Sequence, residues 1–295
     1  MRIDVVLRTC NRRAMLGDAV ASFFAADHAG VEARLLVVDN NSTDGTQELL
    51  AELAARHGAR LVPLAERRPG GQHALNRGIA ESSAPVVAFF DDDERIATGW
   101  LQAIRTEFAE TATDYIAGPV RPADGFVVPE WVPAGFGGVL GIIDSSPMRR
   151  AFEPGFAAML TQGNCALRRS VLAEAGPYPD DLPTAEDRWL NQWLIDHGKR
   201  GFYCPELAVE HAMQPARVTP GYFRRWAARE GRDLFVCDRL AGRPAPFRKA
   251  WYWRQLVGAA GDWLRPGTSK ARRLQGELSL RVAHSYLSAA WAARR

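Results

Sequence analysis

Three aspartates and a glutamate, Asp91, Asp92, Asp93 and Glu94, follow one another directly after the apolar run Val86-Val87-Ala88-Phe89-Phe90. At the end of a buried strand, carboxylates packed this closely repel one another by several kcal/mol at the reduced dielectric of a cleft, and so call for a cation. Oxygen-only donors suit a hard divalent ion such as Mg²⁺ or Mn²⁺, and an ion held by few protein groups keeps positions free for phosphate oxygens. The expected ligand is therefore a diphosphate. A solvated acidic turn is the plainer alternative, but such turns seldom close a strand as apolar as this one. A second acidic pair, Glu186-Asp187, opens a helix-like segment after Thr184. Either carboxylate has the chemistry of a general base. The same residues also fit a capping box, in which acids are favoured at a helix start.

The elements that must hold these groups follow a βαβ rhythm. Apolar, β-branched runs at Ile3 to Arg8, Arg34 to Asp39, Arg60 to Leu64 and Pro85 to Phe90 alternate with segments whose apolar residues are spaced by three and four, as in Leu49, Leu50, Leu53 and Ala54. That pattern predicts a parallel sheet covered on both faces, with ligands outside the carboxyl ends of its strands. The strand ends are polar: Arg8-Thr9-Cys10-Asn11-Arg12, then Asp39-Asn40-Asn41-Ser42-Thr43-Asp44-Gly45, then the acidic run. Asp44 reads as a helix cap and Asp39 as a ligand. Tyr115 to Val120 reads as a further strand, Arg121 to Gly155 as a long Pro- and Gly-rich loop or lid, and Gly163 to Leu167 and Phe202 to Val209 as strands. Helices are expected to start near Arg168 and Thr184, and amphipathic helices from Thr219 to the end.

With 295 residues, 47% hydrophobic and 24% charged, the chain can bury a substantial core, and its composition excludes disordered and fibrous classes. Cys10, Cys165, Cys204 and Cys237 form no C-x-x-C pair, against a zinc or redox site and in favour of a reduced, cytoplasmic setting. The first strand begins too soon after Met1 for a signal peptide, and the glycine-broken run Ala134 to Ile143 falls short of the roughly 20 residues of a membrane span. Charge divides sharply along the sequence. Residues 1–216 carry 20 basic and 29 acidic side chains, whereas residues 217–295 carry 17 and 5. Basic residues there alternate with aromatics, as in Tyr222-Phe223-Arg224-Arg225-Trp226 and Trp251-Tyr252-Trp253-Arg254. The mixture suits an anionic membrane surface, and implies peripheral attachment to its inner face. Arg-rich, solvated helix faces are the competing reading, since only three of the 37 basic residues are Lys. No nucleic-acid module is recognisable.

The ordered set of stations Val5 to Arg12, Val37 to Thr46, Gly70-Gly71 with Asn76-Arg77-Gly78, Phe89 to Asp93, Gly163 to Arg169, and Glu186-Asp187 resembles family 2 glycosyltransferases. The resemblance covers about the first 215 residues. It implies a GT-A fold, a Rossmann-like and mostly parallel sheet flanked by helices, here with a C-terminal helical extension. The domains so implied are 1–216, with its donor half at about 1–120 and its acceptor half at about 121–216, and a basic region at 217–295. It further implies an inverting, Mn²⁺- or Mg²⁺-dependent transfer from a nucleotide-diphospho-sugar to a glycan or lipid-linked hydroxyl, as in envelope polysaccharide synthesis.

By the same resemblance, Thr9 and Asp39 hold the nucleoside, with Asn11, Arg12, Asn41, Gly71 and Asn76 around the donor and Arg67 or Arg68 near base or phosphate. Asp91 lies toward the ribose, Asp93 on the metal with Asp91, and Asp92 in the variable middle position among the donor contacts. His211 would be a metal or phosphate contact, although a lone histidine is commonly structural. Gly163 and Asn164 would approach sugar or acceptor, and Trp189 would stack on sugar unless its spacing of four from Trp193 marks core packing. Asp187 is the base and Glu186 the alternate. Cys10 departs from the residue usual after Thr9, which leaves the nucleotide preference open.

Two other classes compete. A nucleotidyltransferase also unites acids, metal and nucleotide but would release pyrophosphate, and a non-catalytic carbohydrate- or membrane-binding protein could retain the fold without turnover. The absence of G-x-G-x-x-G after the first strand and of G-x-x-x-x-G-K anywhere excludes a Rossmann dehydrogenase and a P-loop hydrolase.

Overall fold

A computed structural model describes residues 1–153, 156, 160–182, 184–243 and 250–293. Gly155, where the expected lid ends, and the side chain of Trp251 lie outside the described residues.

The first half of the chain forms the predicted layered unit. Strands β1 (Arg2–Thr9), β2 (Glu32–Asp39), β3 (Leu61–Ala65) and β4 (Val86–Phe90) run parallel to one another, in the spatial order β3-β2-β1-β4. Helices α1 (Arg13–Ala25), α2 (Thr46–His57) and α3 (Gly71–Glu81) connect them. Ile3, Val5, Val6 and Leu7 of β1, like every residue of β4, are buried, as a strand covered on both faces requires. The register pairs Thr9 with Asp39 and Val6 with Phe89, so the polar ends of β1, β2 and β4 stand side by side. From β1 the chain leaves first toward β2 and β3 and later returns to β4 on the other side. The sheet therefore has a switch point between β1 and β4, where the connecting loops diverge and leave a crevice.

Beyond β4 the sheet changes sense. β9 (Asn164–Arg168) inserts antiparallel between β4 and β6 (Tyr115–Ala117), and β10 (Gly201–Tyr203) and β8 (Arg150–Ala151) complete eight strands. Around this half lie α4 (Trp100–Glu107), α5 (Arg169–Ala175) and α6 (Glu186–Asp196). Two strands expected to be continuous are each broken. Tyr115 to Val120 divides into β6 and β7 (Val120–Pro122), and Phe202 to Val209 into β10 and β11 (Val209–His211), with β7 and β11 joining β5 (Glu94–Ile96) in a separate three-stranded sheet. Pro119 and Pro205 lie at the breaks, where a residue without an N–H cannot continue a ladder. Gly118 is required there: a Cβ at this position would run into the Leu207 carbonyl. The small sheet places His211 opposite Glu94.

The chain forms two compact units, residues 1–123 with 143–212, and residues 124–142 with 213–295. In the second, α7 (Pro220–Leu240), capped by Thr219, and α8 (Ala250–Leu264) pack on α9 (Lys270–Ala292), capped by Ser269. The central part of the expected lid is core here: Val139 and Leu140 are buried with Phe223, Ala227, Leu274 and Leu278, and Trp131 meets the Phe223 ring edge-on at 5.2 Å. Loop-like composition concealed this, because the partners of these residues lie more than eighty positions away.

Gly118→Ala is expected to destabilise the protein by about 3 kcal/mol through overpacking against backbone, read as a lowered urea midpoint at unchanged slope.

Candidate functional site

At the crevice between β1 and β4 the acidic run folds into a tight turn: the Asp91 N–H donates to Glu94 Oε2 at 2.9 Å and the Glu94 N–H to the Asp91 carbonyl at 3.1 Å. Asp92, Asp93 and Glu94 are buried and Asp91 is half-buried. The plainer alternative, a solvated acidic turn, does not describe these three residues. Thr9 Oγ1 donates to Asp92 Oδ2 at 2.7 Å, tying the end of β1 to the turn. Burial pushes the Asp92 carboxyl up to about 7 against that hydrogen bond, and pushes Asp91 and Glu94 in the same direction. Asp93 Oδ2 lies 3.5 Å from His211 Nε2 and 4.0 Å from Arg12 Nη1. A Cβ on Gly163 would come within 2.9 Å of Glu94 Oε1 and 3.0 Å of Asp91 Oδ2, so this glycine's close approach is to the acidic run.

Arg8 joins this turn to the second acidic pair. Its Nη1 donates to Glu186 Oε1, and its Nε lies 3.7 Å from Asp91 Oδ1. Burial alone would weaken the guanidinium's hold on its proton, but Glu186, Asp91 and Asp187 raise it well above its ordinary value. Gly71, expected among the donor contacts, gives Arg8 its space, since a Cβ there would collide with Nη1. Arg8 is not among the site residues expected from the sequence because an arginine ending a strand carries no signal of its own. The signal available was the acidic run's need for a fixed counter-charge.

Glu186 lies on the core-facing stripe of α6 with Leu190 and Leu194, and its Oε2 is buried without a hydrogen-bond partner. Asp187, one residue on, is only half-buried. Ala185, not Thr184, is the N-cap of α6, and it makes no side-chain cap hydrogen bond, while both acids stand in the first turn. Asp187 Oδ1 instead accepts from the Gln162 N–H at 2.8 Å. Burial, then the neighbouring Glu186, pushes Asp187 up to about 7 despite Arg8.

Toward β2 the loops are laced by short polar side chains. Buried Asp39 accepts from the Ser42 N–H at 3.2 Å and from Gln47 Nε2 at 2.9 Å. Asn11 and Asn41 adopt left-handed backbone conformations, φ 54° and 64°, which Asn tolerates better than most residues. The Asn11 N–H donates to Ser42 Oγ, the Thr43 N–H donates to Asn11 Oδ1, and Asn41 Nδ2 donates to the Arg67 carbonyl. Asp44 accepts from the N–H groups of Arg13 and Thr46, a local structural role, although the N-cap of α2 is Gly45 and not Asp44 as expected. Asn40, not anticipated, donates to the carbonyls of Glu66 and Arg68 and accepts from the Gly70 N–H, shaping the turn that carries Arg67 and Arg68. Arg68 itself is paired with Glu66 at 3.2 Å.

Three expected ligand contacts are structural instead. Asn164 is fully buried, accepts from Trp100 Nε1 at 2.9 Å, and donates to the Pro119 and Leu207 carbonyls, which leaves its amide nothing to offer a sugar. Asn76 exchanges hydrogen bonds with the backbone of Tyr178, pinning α3 to that segment. Trp189 packs edge-on against Tyr178 at 5.4 Å. Trp193 stacks on His197.

Residues 4–176 match the family described as Glycosyl transferase family 2. The chain belongs to that family. It is 38% identical over 130 residues to an uncharacterized glycosyltransferase of Mycobacterium tuberculosis, a stretch covering 44% of this chain and 53% of that protein. The chain thus spans about half the length of the curated relatives it matches first. It is 23% identical over 217 residues to the glycosyltransferase AglE of Haloferax volcanii, covering 72% and 67%. Among solved structures it is similar to a mannosyltransferase from Pyrobaculum calidifontis in complex with GDP-Man and Mn²⁺, with TM-score 0.66, 20% identity, and 98% and 87% of the two chains covered. It is also similar to TarS of S. aureus in complex with UDP-GlcNAc, with TM-score 0.57, 16% identity, and 98% and 92% covered. The fold is GT-A.

In this family 2 member, Asp91, Asp93 and His211 supply two carboxylates and an imidazole at one end of the crevice, a donor set compatible with Mn²⁺ or Mg²⁺. Among the described residues, no three His, Cys, Asp or Glu side chains already enclose a metal position.

Asn164→Ala should cost about 4 kcal/mol by orphaning an indole N–H and two carbonyls, while leaving the nucleotide affinity of the folded protein within about twofold; urea titration and calorimetry read the two quantities.

Proposed function

We propose that the chain transfers a glycosyl unit, with inversion, from a nucleoside-diphosphate sugar to an acceptor hydroxyl. The observation that carries the proposal is Arg8 held between Asp91 and Glu186, which unites a strand-end acidic run suited to a donor with an acidic pair suited to an acceptor. In this reading, Asp39 and Thr9, with the loops ordered by Asn11 and Asn41, hold the nucleoside. Arg12, Arg67 and Arg68 lie at the same strand ends as charges for base or phosphate. Asp187 takes the proton of the acceptor hydroxyl as its oxygen bonds to the anomeric carbon. The bond from that carbon to the diphosphate breaks on the opposite side, and its electron pair leaves with the diphosphate. Asp187 suits this task because only one of its oxygens holds Gln162 and because its proton affinity is raised toward neutrality. Glu186, buried and bonded to Arg8, suits a supporting role. Mn²⁺ or Mg²⁺ held by Asp93, Asp91 and His211 would, when bound, neutralise charge on the departing diphosphate. The basic balance of residues 217–295 favours an acceptor at an anionic surface, such as a lipid-linked or envelope glycan.

A thermal-shift screen across nucleoside diphosphates, each with and without Mn²⁺, tests donor class and metal together. One nucleotide should stabilise the protein only with metal, and Asp93→Ala should abolish that shift; release of pyrophosphate from donor would instead identify a nucleotidyltransferase.

Asp187→Asn should lower kcat by about 10²–10⁴-fold with donor affinity unchanged, and Glu186→Gln should not match it at equal stability. Because a base must be ionised, kcat/KM for acceptor is expected to rise with pH through about 7 and then level off, and to lose that limb in Asp187→Asn.

A further inference from the structure

The outer face of α8 has the chemistry of a membrane-docking surface. Trp253, Val257 and Leu264 are 50%, 73% and 70% exposed. At about 100° per residue these three project within a sector of roughly 40°, and no other residue of the helix falls inside it. The opposite side of the helix meets α9: a Cβ on Gly276 would run into the Ala259 carbonyl, and Asp262, the helix's single acid, is paired with Arg272 at 2.9 Å. The exposed residues are therefore not the margin of a packed seam.

Charge identifies the partner. Exposed Arg254 and Arg265 lie along one side of the apolar strip. Of the five acids in residues 217–295, Asp238, Asp262 and Glu277 are already matched by arginines of the same unit, so the excess of 17 basic over 5 acidic residues is not cancelled locally. A soluble helical partner would need an acidic apolar groove. An anionic bilayer supplies both requirements at once, phosphate headgroups for the arginines and acyl chains for the strip. Tryptophan beside arginine suits the headgroup boundary, where an amphipathic ring keeps its polar edge wet. No helix among the described residues is long and apolar enough to cross a membrane, so the strip would lie in the interface.

We infer that α8 docks this protein on an anionic lipid surface through Trp253, Val257 and Leu264, with Arg254 and Arg265 on headgroup phosphates. The inference does not rest on the transferase reading.

The test is co-sedimentation of the full chain with phosphatidylglycerol and phosphatidylcholine vesicles at low and high salt. It uses the wild type, the triple variant Trp253→Gln, Val257→Gln, Leu264→Gln, and the pair Arg254→Gln, Arg265→Gln. Glutamine keeps helix propensity, and circular dichroism verifies the fold. Wild type should bind phosphatidylglycerol vesicles and not phosphatidylcholine. Affinity should fall about tenfold or more in the triple variant and severalfold in the arginine pair. Acyl-brominated phosphatidylglycerol should quench wild-type tryptophan fluorescence, and Trp253→Phe should remove part of that quenching, a readout that survives if the triple variant misfolds. Equal partition with and without vesicles, or binding and quenching unchanged in the variants, overturns the inference. So does a wild-type dimer that becomes monomeric in the triple variant, which would assign the strip to a second copy of the chain.

Discussion

Six carboxylates converge near one end of the sheet, and the protein counters them from within with the guanidinium of Arg8. Two like charges 4 Å apart at an effective dielectric near 20 repel by about 4 kcal/mol, so this cluster could not be assembled ionised without a fixed cation. Arginine suits the position because its planar fork addresses Glu186 with one nitrogen while another faces Asp91, which a lysine's single ammonium could not do as well. The compensation is incomplete. Asp92 and Asp187 are both pushed up to about 7, and Glu94 and Asp91 are raised as well, all chiefly by burial. A crevice with this surplus of carboxyl groups gains from any further positive charge that enters it.

The topology makes the cluster buildable. A switch point between β1 and β4 opens the crevice, and the strands beyond it bring in residues that sequence order would keep apart. Antiparallel β9 sets Asn164 opposite Phe90, so that Gly163 meets the acidic turn. The small sheet pairs β11 with β5, bringing His211 beside Asp93 across more than a hundred residues. Asn164 secures both arrangements through Pro119, Leu207 and Trp100. A residue with the look of a ligand is in fact the tie that holds the ligand-bearing loops.

What the sequence revealed and what it hid divide along the range of the interactions. β1, β2 and β4 were legible because continuous apolar runs with polar ends are local patterns, and the same locality exposed Asp39, Asp44 and the acidic run. The motif order carried the family. Arg8 stayed hidden because its meaning lies in partners 83 and 178 positions away, and Asn76 and Asn164 misled because an amide in a motif reads alike whether it faces a ligand or a backbone carbonyl. The breaks at Pro119 and Pro205 had a local signal, proline within a strand, that the apolar run around each obscured. Residues 124–142 looked like a lid because glycine and proline dominate their composition, whereas Val139 and Leu140 answer to helices far along the chain.

The two acids that open α6 show how one turn of helix can separate two roles. Adjacent helical residues point about 100° apart, so a helix that buries Leu190 and Leu194 must also bury the residue four before Leu190, which is Glu186, and must turn Asp187 away from that stripe. A carboxylate on a core-facing stripe is tolerable only with a buried counter-charge, which explains why Arg8 projects from the end of β1 and why Gly71 leaves room for it. Asp187, off that stripe and half-buried, is anchored through one oxygen by the Gln162 N–H, and burial, then Glu186, raises its hold on a proton. The order of the pair along the chain thus places Glu186 in the framework and leaves Asp187 half-buried beside it.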